Sequence, residues 1–266
     1  MGNDEVVHRE NGGIERLLHI MRRLRDPETG CPWDIEQTYE TIAPYTIEEA
    51  YEVADAIDRG DIPDLKAELG DLLLQTVYQT AIGEELGHFT FQSVADGISD
   101  KMVARHPHVF GDQSRNKSAD QQTRDWETIK AAERAEAAQT RTLDGVALGL
   151  PALTRAVKLQ KRAARVGFDW PSTTQVLDKV REEMEELVEA KTPEHAHEEY
   201  GDLMFVMANL ARHLKIDPEH ALRDACTKFT RRFNAVEQKL TDQGSSPARS
   251  TLQEMDQLWD QVKAEE

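Results

Sequence analysis

Each half of the chain carries the same two acidic patterns in the same order. An E-E-x-x-E pattern occupies residues 48–52 and again 182–186, and an E-x-G-D pattern follows at 68–71 and at 199–202. Residues three apart lie on one edge of a helix, so each pattern presents neighbouring carboxylates. Two adjacent helices of this kind would supply the oxygen ligands that Mg²⁺ prefers. The repeat therefore predicts a divalent-cation site in each half.

The candidate metal ligands are the same set of acids in both halves. They are Glu49, Glu52, Glu68 and Asp71 in the first half and Glu183, Glu186, Glu199 and Asp202 in the second. The extra acid that begins each E-E-x-x-E pattern, Glu48 or Glu182, could serve a second ion or orient a water molecule.

A structural role is the alternative, because glutamates on helices are usually solvated and supported by a basic residue one turn away. For the E-E-x-x-E pattern alone the two interpretations are about equal. The E-x-G-D pattern is more informative, since Asp202 precedes the apolar stretch 203–210 and Asp71 precedes three leucines. A helix that is apolar nearly all round is expected to be buried. An ionised carboxylate there must pair, lose its charge or bind metal.

A basic pair with the same internal spacing follows the acidic patterns in both halves. Lys101 and Arg105 form K-x-x-x-R in the first half, and Lys228 and Arg232 do so in the second. After a carboxylate hairpin, such pairs indicate contact with phosphates. Trp126 and Trp259 could then stack on a base or simply pack in a core.

The composition limits the function classes. With 32 basic and 50 acidic residues, the formal net charge is −18, which disfavours binding to nucleic acid or to anionic membranes. Two cysteines, no signal-like N-terminus and no long apolar run favour a cytoplasmic protein without membrane contact. The chain contains neither a P-loop nor a G-x-G-x-x-G motif.

Helix-forming residues dominate, and alternating β-branched runs are missing, so we predict an all-α fold. The repeated order of motifs indicates a tandem duplication of helical-bundle domains, covering residues 1–140 and 141–266. The predicted helices cover residues 14–26, 43–59, 62–87, 90–105, 119–138, 151–166, 173–191, 194–214, 217–242 and 250–264.

The chain resembles the MazG family of the all-α NTP pyrophosphatase superfamily over residues 14–264. Besides the acids, the resemblance rests on G-C-P-W-D at 30–34, T-I-A-P-Y-T at 41–46, R-H-P-H-V-F at 105–110 and V-G-F-D-W at 166–170. It implies an intertwined homodimer of two tandem MazG-like domains, with the C-terminal domain catalytic. It also implies Mg²⁺-dependent hydrolysis of nucleoside triphosphates, ribo- or deoxyribo-, to monophosphates and pyrophosphate. Mn²⁺ is an expected substitute for Mg²⁺.

The resemblance also implies roles for individual residues. Glu183, Glu186, Glu199 and Asp202 would bind metal, while Lys179, Lys228, Arg232 and Trp259 would contact the nucleotide. Glu182 or Glu183 would orient or deprotonate the attacking water. His195 and His197 stand where the family often has a lysine, which leaves one phosphate contact in doubt. The competing hypothesis is a metal-stabilised helical regulatory or interaction protein without turnover.

Overall fold

The structure is a computed structural model that describes residues 5–112, 116, 118, 121, 122, 125, 126, 128, 129 and 141–266. Across these residues the chain forms α-helices and no strand, which confirms the all-α prediction. It divides into two compact units, Met1–Ile129 and Lys130–Glu266. The predicted boundary at residue 140 lies outside the described residues and stays a prediction.

Six helices of the first unit lie wholly within the described residues 5–112. They are α1 (Gly13–Leu24), α2 (Pro32–Glu36), α3 (Tyr39–Arg59), α4 (Ile62–Glu85), α5 (Phe91–Arg105) and α6 (Pro107–Phe110). The pair α3 and α4 forms the main hairpin, and α1 and α5 pack against α4. Met21, Ile42 and Val77 are among the buried side chains that join α1, α3 and α4 in one core.

The second unit repeats the hairpin. It contains α7 (Ala152–Arg165), α8 (Thr173–Glu189), α9 (Pro193–His213), α10 (Pro218–Asp242) and α11 (Leu252–Ala264), with a short 3₁₀ helix at Pro247–Arg249. Helix α9 packs against α8 and α7, whereas α10 packs against α11 and, less extensively, α7. A separate core of Val236, Leu240, Leu258 and Val262 joins α10 to α11.

Local capping chemistry explains where most helices begin. Thr38, Thr90 and Thr251 each form a capping box, in which the side chain of the third helical residue also bonds back to the cap. Thr192 caps α9, as a hydroxyl residue just before a predicted helix indicates. Ser93 and Thr173 also lie near predicted helix starts, but they are not the caps, because Thr90 caps α5 and Ser172 caps α8.

Two other details of the helix prediction are wrong. The helix predicted to start at residue 43 starts at Tyr39, about one turn earlier, because Thr38 caps it, and Pro44 lies inside it. The short helices α2 and α6 were not predicted, because five and four residues are too few to show a helical period. The predicted helix at 119–138 lies largely outside the described residues, although residues 121, 122, 125, 126, 128 and 129 are helical.

Helix α9 is less buried than its apolar sequence predicts. Val206, Ala208 and Asn209 are buried, yet Phe205 and Met207 are each 42% exposed. In α8, Met184 is 54% exposed. No helix of the described chain is long and apolar enough to cross a membrane.

Candidate active site

The second half brings three predicted ligands together between α8 and α9. Ser172 and Thr192 cap the two helices, and only residues 190–192 connect them, so their acidic faces lie side by side. One carboxylate oxygen each from Glu183, Glu199 and Asp202 lies within 4.8 Å of the other two. We call these three residues the second triad.

The second triad has basic partners already. Glu183 is only 4% exposed, and Lys179 Nζ lies 2.8 Å from its Oε1 and 2.7 Å from Glu182 Oε1. The hydrogen bond to Glu182 has the larger effect and the one to Glu183 the next, and both raise the pKa of Lys179. On α9, His195 Nε2 lies 2.9 Å from Glu199 Oε1. A charged lysine therefore compensates the one acid of the triad that is buried.

Glu182 and Glu186 lie beside the triad rather than in it. The side chain of Glu182 is 57% exposed and bonds to Lys179. Burial raises the pKa of Glu186, and repulsion from Glu199 and Glu183 adds to this, while Lys179 acts in the opposite direction. The charges of the triad thus contribute to the raised pKa of Glu186.

The first half holds an equivalent cluster between α3 and α4, the first triad. One carboxylate oxygen each from Glu49, Glu68 and Asp71 lies within 4.8 Å of the others. Burial, a hydrogen bond with Glu52 and repulsion from the other acids raise the pKa of Glu49. Burial and repulsion, mainly from Glu52, likewise raise the pKa of Glu68. Negative charge is therefore concentrated here.

The two triads differ in the residue four positions before Glu49 on α3 and before Glu183 on α8. This residue is Lys179 in the second half and Tyr45 in the first. Four positions before the triad glutamate of the next helix, Glu199 or Glu68, the second half has His195 and the first half has Asp64. Arg59 binds Asp64. The first triad thus lacks the internal cation that the second has in Lys179.

This difference predicts a pH effect on stability. Because the raised pKa of Glu49 makes the folded state hold its proton more tightly, the contribution of Glu49 to stability without metal should fall as pH rises above about 4.5. Glu49→Gln removes a charge, so it should raise the melting temperature at pH 7 by a few degrees and weaken stabilisation by Mg²⁺. Calorimetry from pH 4 to 8 measures both effects. Glu28→Gln, outside the triad, is the matched control, and an equal change in that variant would contradict the prediction.

Apart from Lys179 on α8, the predicted nucleotide contacts lie on other helices or outside the hairpin. Lys228 is exposed on α10, and Arg232 Nη2 is 2.5 Å from Glu266 Oε2 while its guanidinium lies 5.9 Å from the Trp259 ring centroid. In the first half, the Arg105 guanidinium lies 5.2 Å from the Trp126 ring centroid, and Lys101 is exposed. Helix α10 packs mainly against α11. In the described part of one chain, therefore, no major contact between helices brings Lys228 and Arg232 to the second triad.

An apolar cavity shares helix α9 with the second triad. Its volume is about 510 Å³, and Phe205, one helical turn after Asp202, lines it together with Phe168 and Trp170. Two buried polar residues also line it. Gln160 Nε2 donates a 2.7 Å bond to the Phe205 carbonyl, leaving Gln160 Oε1 without a hydrogen-bond partner.

The second buried polar residue, Asn209, belongs to a polar network at the cavity wall. Arg212 donates to Asn209 Oδ1 and to Asp169 Oδ1, and His213 Nε2 lies 3.2 Å from Asp169 Oδ1. Burial opposes these contacts, yet together they hold the pKa of Asp169 below its usual value. The sequence analysis assigned no role to Gln160, Asn209 or Arg212. The signal that could have identified Asn209 is a lone amide inside an apolar helix.

The first half has a different arrangement at the matching position. Tyr78 and Asn209 each lie seven residues after the aspartate of their triad. The Tyr78 hydroxyl donates to Asp34 Oδ1 at 2.9 Å, and Arg25 donates to the Asp34 carbonyl oxygen at 2.5 Å. Arg25 also forms a two-bond ion pair with Glu85. Tyr78 is 5% exposed and Arg25 is 8% exposed.

Comparison with known proteins agrees with this geometry. The MazG nucleotide pyrophosphohydrolase domain matches twice, at residues 37–110 and 172–237. The chain belongs to the MazG family. Each matched MazG segment contains one complete triad and one K-x-x-x-R pair. Trp259 and the V-G-F-D-W motif lie outside both segments.

Full-length MazG relatives support the assignment. The chain is 51% identical over 258 residues to a nucleoside triphosphate pyrophosphohydrolase of Escherichia coli K12, covering 95% of this chain and 98% of that one. It is 42% identical over 250 residues to a nucleoside triphosphate pyrophosphohydrolase/pyrophosphatase MazG of Thermotoga maritima, covering 94% and 95%. A Bacillus subtilis protein, the uncharacterized YabN, is 45% identical over 251 residues, which cover 93% of this chain and 51% of YabN.

Proposed function

We propose that the chain is a Mg²⁺-dependent nucleoside triphosphate pyrophosphohydrolase of broad specificity. It would hydrolyse ribo- and deoxyribonucleoside triphosphates between the α- and β-phosphates, giving a monophosphate and pyrophosphate. The observation that carries this proposal is the second triad itself, on the same helix, α9, as Phe205 and Asn209, which line an apolar cavity of about 510 Å³. The triad suits the metal-bound phosphates, and the cavity suits the nucleoside.

The donor atoms fit Mg²⁺. Glu183, Glu199 and Asp202 offer three carboxylate oxygens within 4.8 Å of one another, and hard divalent cations prefer such oxygens. Glu186, whose charge interacts with those of Glu199 and Glu183, would complete the set. When bound, Mg²⁺ would neutralise phosphate charge and make a water molecule more acidic.

The chain's own residues would carry the remaining work. Lys179 is shared between Glu182 and Glu183. When Glu183 serves as a metal ligand, Lys179 becomes available to bind a phosphate oxygen. Glu182 would then accept the proton of the attacking water at its carboxylate. Phe168, Trp170 and Phe205 would exclude water from one side of the nucleoside.

We further infer that the working unit is a homodimer. Lys228 and Arg232 are placed on a helix that packs mainly on α11, away from the α8–α9 hairpin. Apolar side chains on that helix and on the hairpin are exposed, including Leu222 and Phe229 on α10 and Met184 and Val188 on α8. A partner's α10 packed across the hairpin would cover these residues and bring Lys228 and Arg232 to the phosphates.

Product analysis tests the proposed reaction. Incubating the purified protein with a panel of ribo- and deoxyribonucleoside triphosphates and Mg²⁺ should release pyrophosphate and monophosphate in equal amounts, and EDTA should stop release. Phosphorus NMR or ion chromatography separates pyrophosphate from orthophosphate. Orthophosphate as the primary product would contradict cleavage between the α- and β-phosphates.

A further inference from the structure

A second pocket of the C-terminal unit has a basic lining. Its volume is about 500 Å³, and it lies where the start of α7, the end of α9 and the start of α10 meet. Its lining residues are Thr154, Val157, Lys158, Lys161, Arg212, Lys215, Ile216, Asp217 and Pro218. The volume falls within the range of small-molecule pockets.

The charge of this pocket is opposite to that of the chain. Four cationic side chains and one carboxylate line it, in a protein of formal net charge −18. The carboxylate belongs to Asp217, whose Oδ1 accepts the backbone N–H of Glu219 at 3.0 Å and of His220 at 3.1 Å. Asp217 is therefore used as the N-cap of α10, and it does not pair with the lysines.

The three lysines supply most of the available positive charge. Lys158 and Lys161 lie three residues apart on one face of α7, and Lys215 lies opposite, just beyond α9. Among the described residues, none of them forms an ion pair. Arg212 is different, because its guanidinium binds Asp169 and Asn209. Affinity for an anion would thus come mainly from the lysines.

Lys215 also has an unusual backbone. Its φ is +59°, in the left-handed region where residues with a Cβ are disfavoured and glycine is usual after a helix. In the first unit, Gly87 has φ +69° at the matching place, one residue past the cap of α4. The second unit therefore has a lysine where the first has the residue that this turn favours. Conformations of this kind are concentrated at functional sites.

We propose that this pocket binds a compact, multiply charged phosphate anion, either free pyrophosphate or the phosphate chain of a nucleotide. Three lysines around a concave space suit several phosphate oxygens at once, as point charges without a fixed geometry. Nucleic acid fits less well, because the rest of this acidic chain would repel its backbone. The proposal goes beyond the proposed function and does not depend on turnover.

Binding in the absence of divalent metal tests the proposal. Titration calorimetry with pyrophosphate in EDTA should show one site per chain. Lys161→Gln and Lys215→Gly should each lower the affinity about tenfold or more, since each removes one of few close charges. Lys191→Gln, an exposed lysine at the opposite end of α9, should leave the affinity unchanged. A parallel titration with a nucleoside triphosphate identifies the source, because tighter binding of the nucleotide would favour a phosphate chain over free pyrophosphate.

Lys215→Gly separates binding from folding. Glycine suits the left-handed turn, so this variant should melt at the same temperature as the wild type or a few degrees higher while it loses pyrophosphate affinity. Absence of pyrophosphate binding to the wild type would overturn the proposal. Equal losses in Lys215→Gly and Lys191→Gln would overturn it too, since they would indicate only a general charge effect.

Discussion

Asp202→Asn should lower turnover roughly 10³-fold, the loss expected when a metal-bound phosphate site loses one anionic ligand. Asp202 is one of three oxygen donors of the second triad and begins the helical turn that reaches the apolar cavity at Phe205. Asparagine keeps the shape of the side chain but removes its charge, so metal affinity falls while the fold is retained. Steady-state kinetics at a series of Mg²⁺ concentrations measures this effect.

The matched variant in the first half is Asp71→Asn, and it should change turnover less than about threefold, well under one kcal/mol. It removes the equivalent ligand from the first triad, which we expect to bind metal without turning over nucleotide. Circular dichroism confirms that both variants are folded. Equal losses of turnover in the two variants would contradict catalysis by the second half alone.

The physical reason for this asymmetry lies in one position of each hairpin. In the second half, Asn209 borders a cavity of about 510 Å³. In the first half, Tyr78 is at the corresponding position, and its hydroxyl donates to Asp34, which Arg25 also binds. Burial and the hydrogen bond to Asp34 raise the pKa of the Tyr78 hydroxyl, so it stays a neutral donor. The Tyr78 ring and the buried Arg25 guanidinium thus stabilise the first unit at the position where the second unit can admit a ligand.

Much of the fold follows from local sequence chemistry. Helix periodicity, prolines at helix starts and a cap such as Thr192 were enough to place most helices within a few residues. The errors in the helix prediction lie at helix starts, where neighbouring residues compete as caps. The capping box at Thr38 starts α3 before Pro44, and Thr90 rather than Ser93 caps α5. In both helices the N-cap is the earlier of the two hydroxyl residues that form the capping box.

The candidate site was predictable only in part. Spacing along two helices was enough to bring Glu183 near Glu199 and Asp202, because carboxylates on one edge of a helix hairpin must converge. The burial of Glu183 was not predictable, since it depends on how α8 rotates against α9. The cavity was not predictable either. It forms where α7, α9 and the V-G-F-D-W segment meet, and that meeting depends on tertiary packing.

A heterodimer of two inactive variants should recover about half of the wild-type turnover, if each site combines acids of one chain with bases of the other. One chain carries Asp202→Asn, and the second carries Lys228→Gln with Arg232→Gln. Under this arrangement one of the two sites contains both changes and the other contains neither. Co-expression with two different tags and purification on both gives the mixed dimer, and pyrophosphate release measures its activity.

Either variant alone should be nearly inactive, because each homodimer has the same defect at both sites. Arg231→Gln is the matched control for the basic pair, since Arg231 lies on the same helix and also contacts Glu266, but its side chain is 65% exposed. The heterodimer distinguishes the two geometries directly. If Lys228 and Arg232 reached the triad of their own chain, every site in the mixed dimer would carry a defect and no activity would return. Recovery therefore requires that α10 act on the partner's hairpin, and such a dimer would cover the apolar side chains of α8 and α10 that are exposed in a single chain.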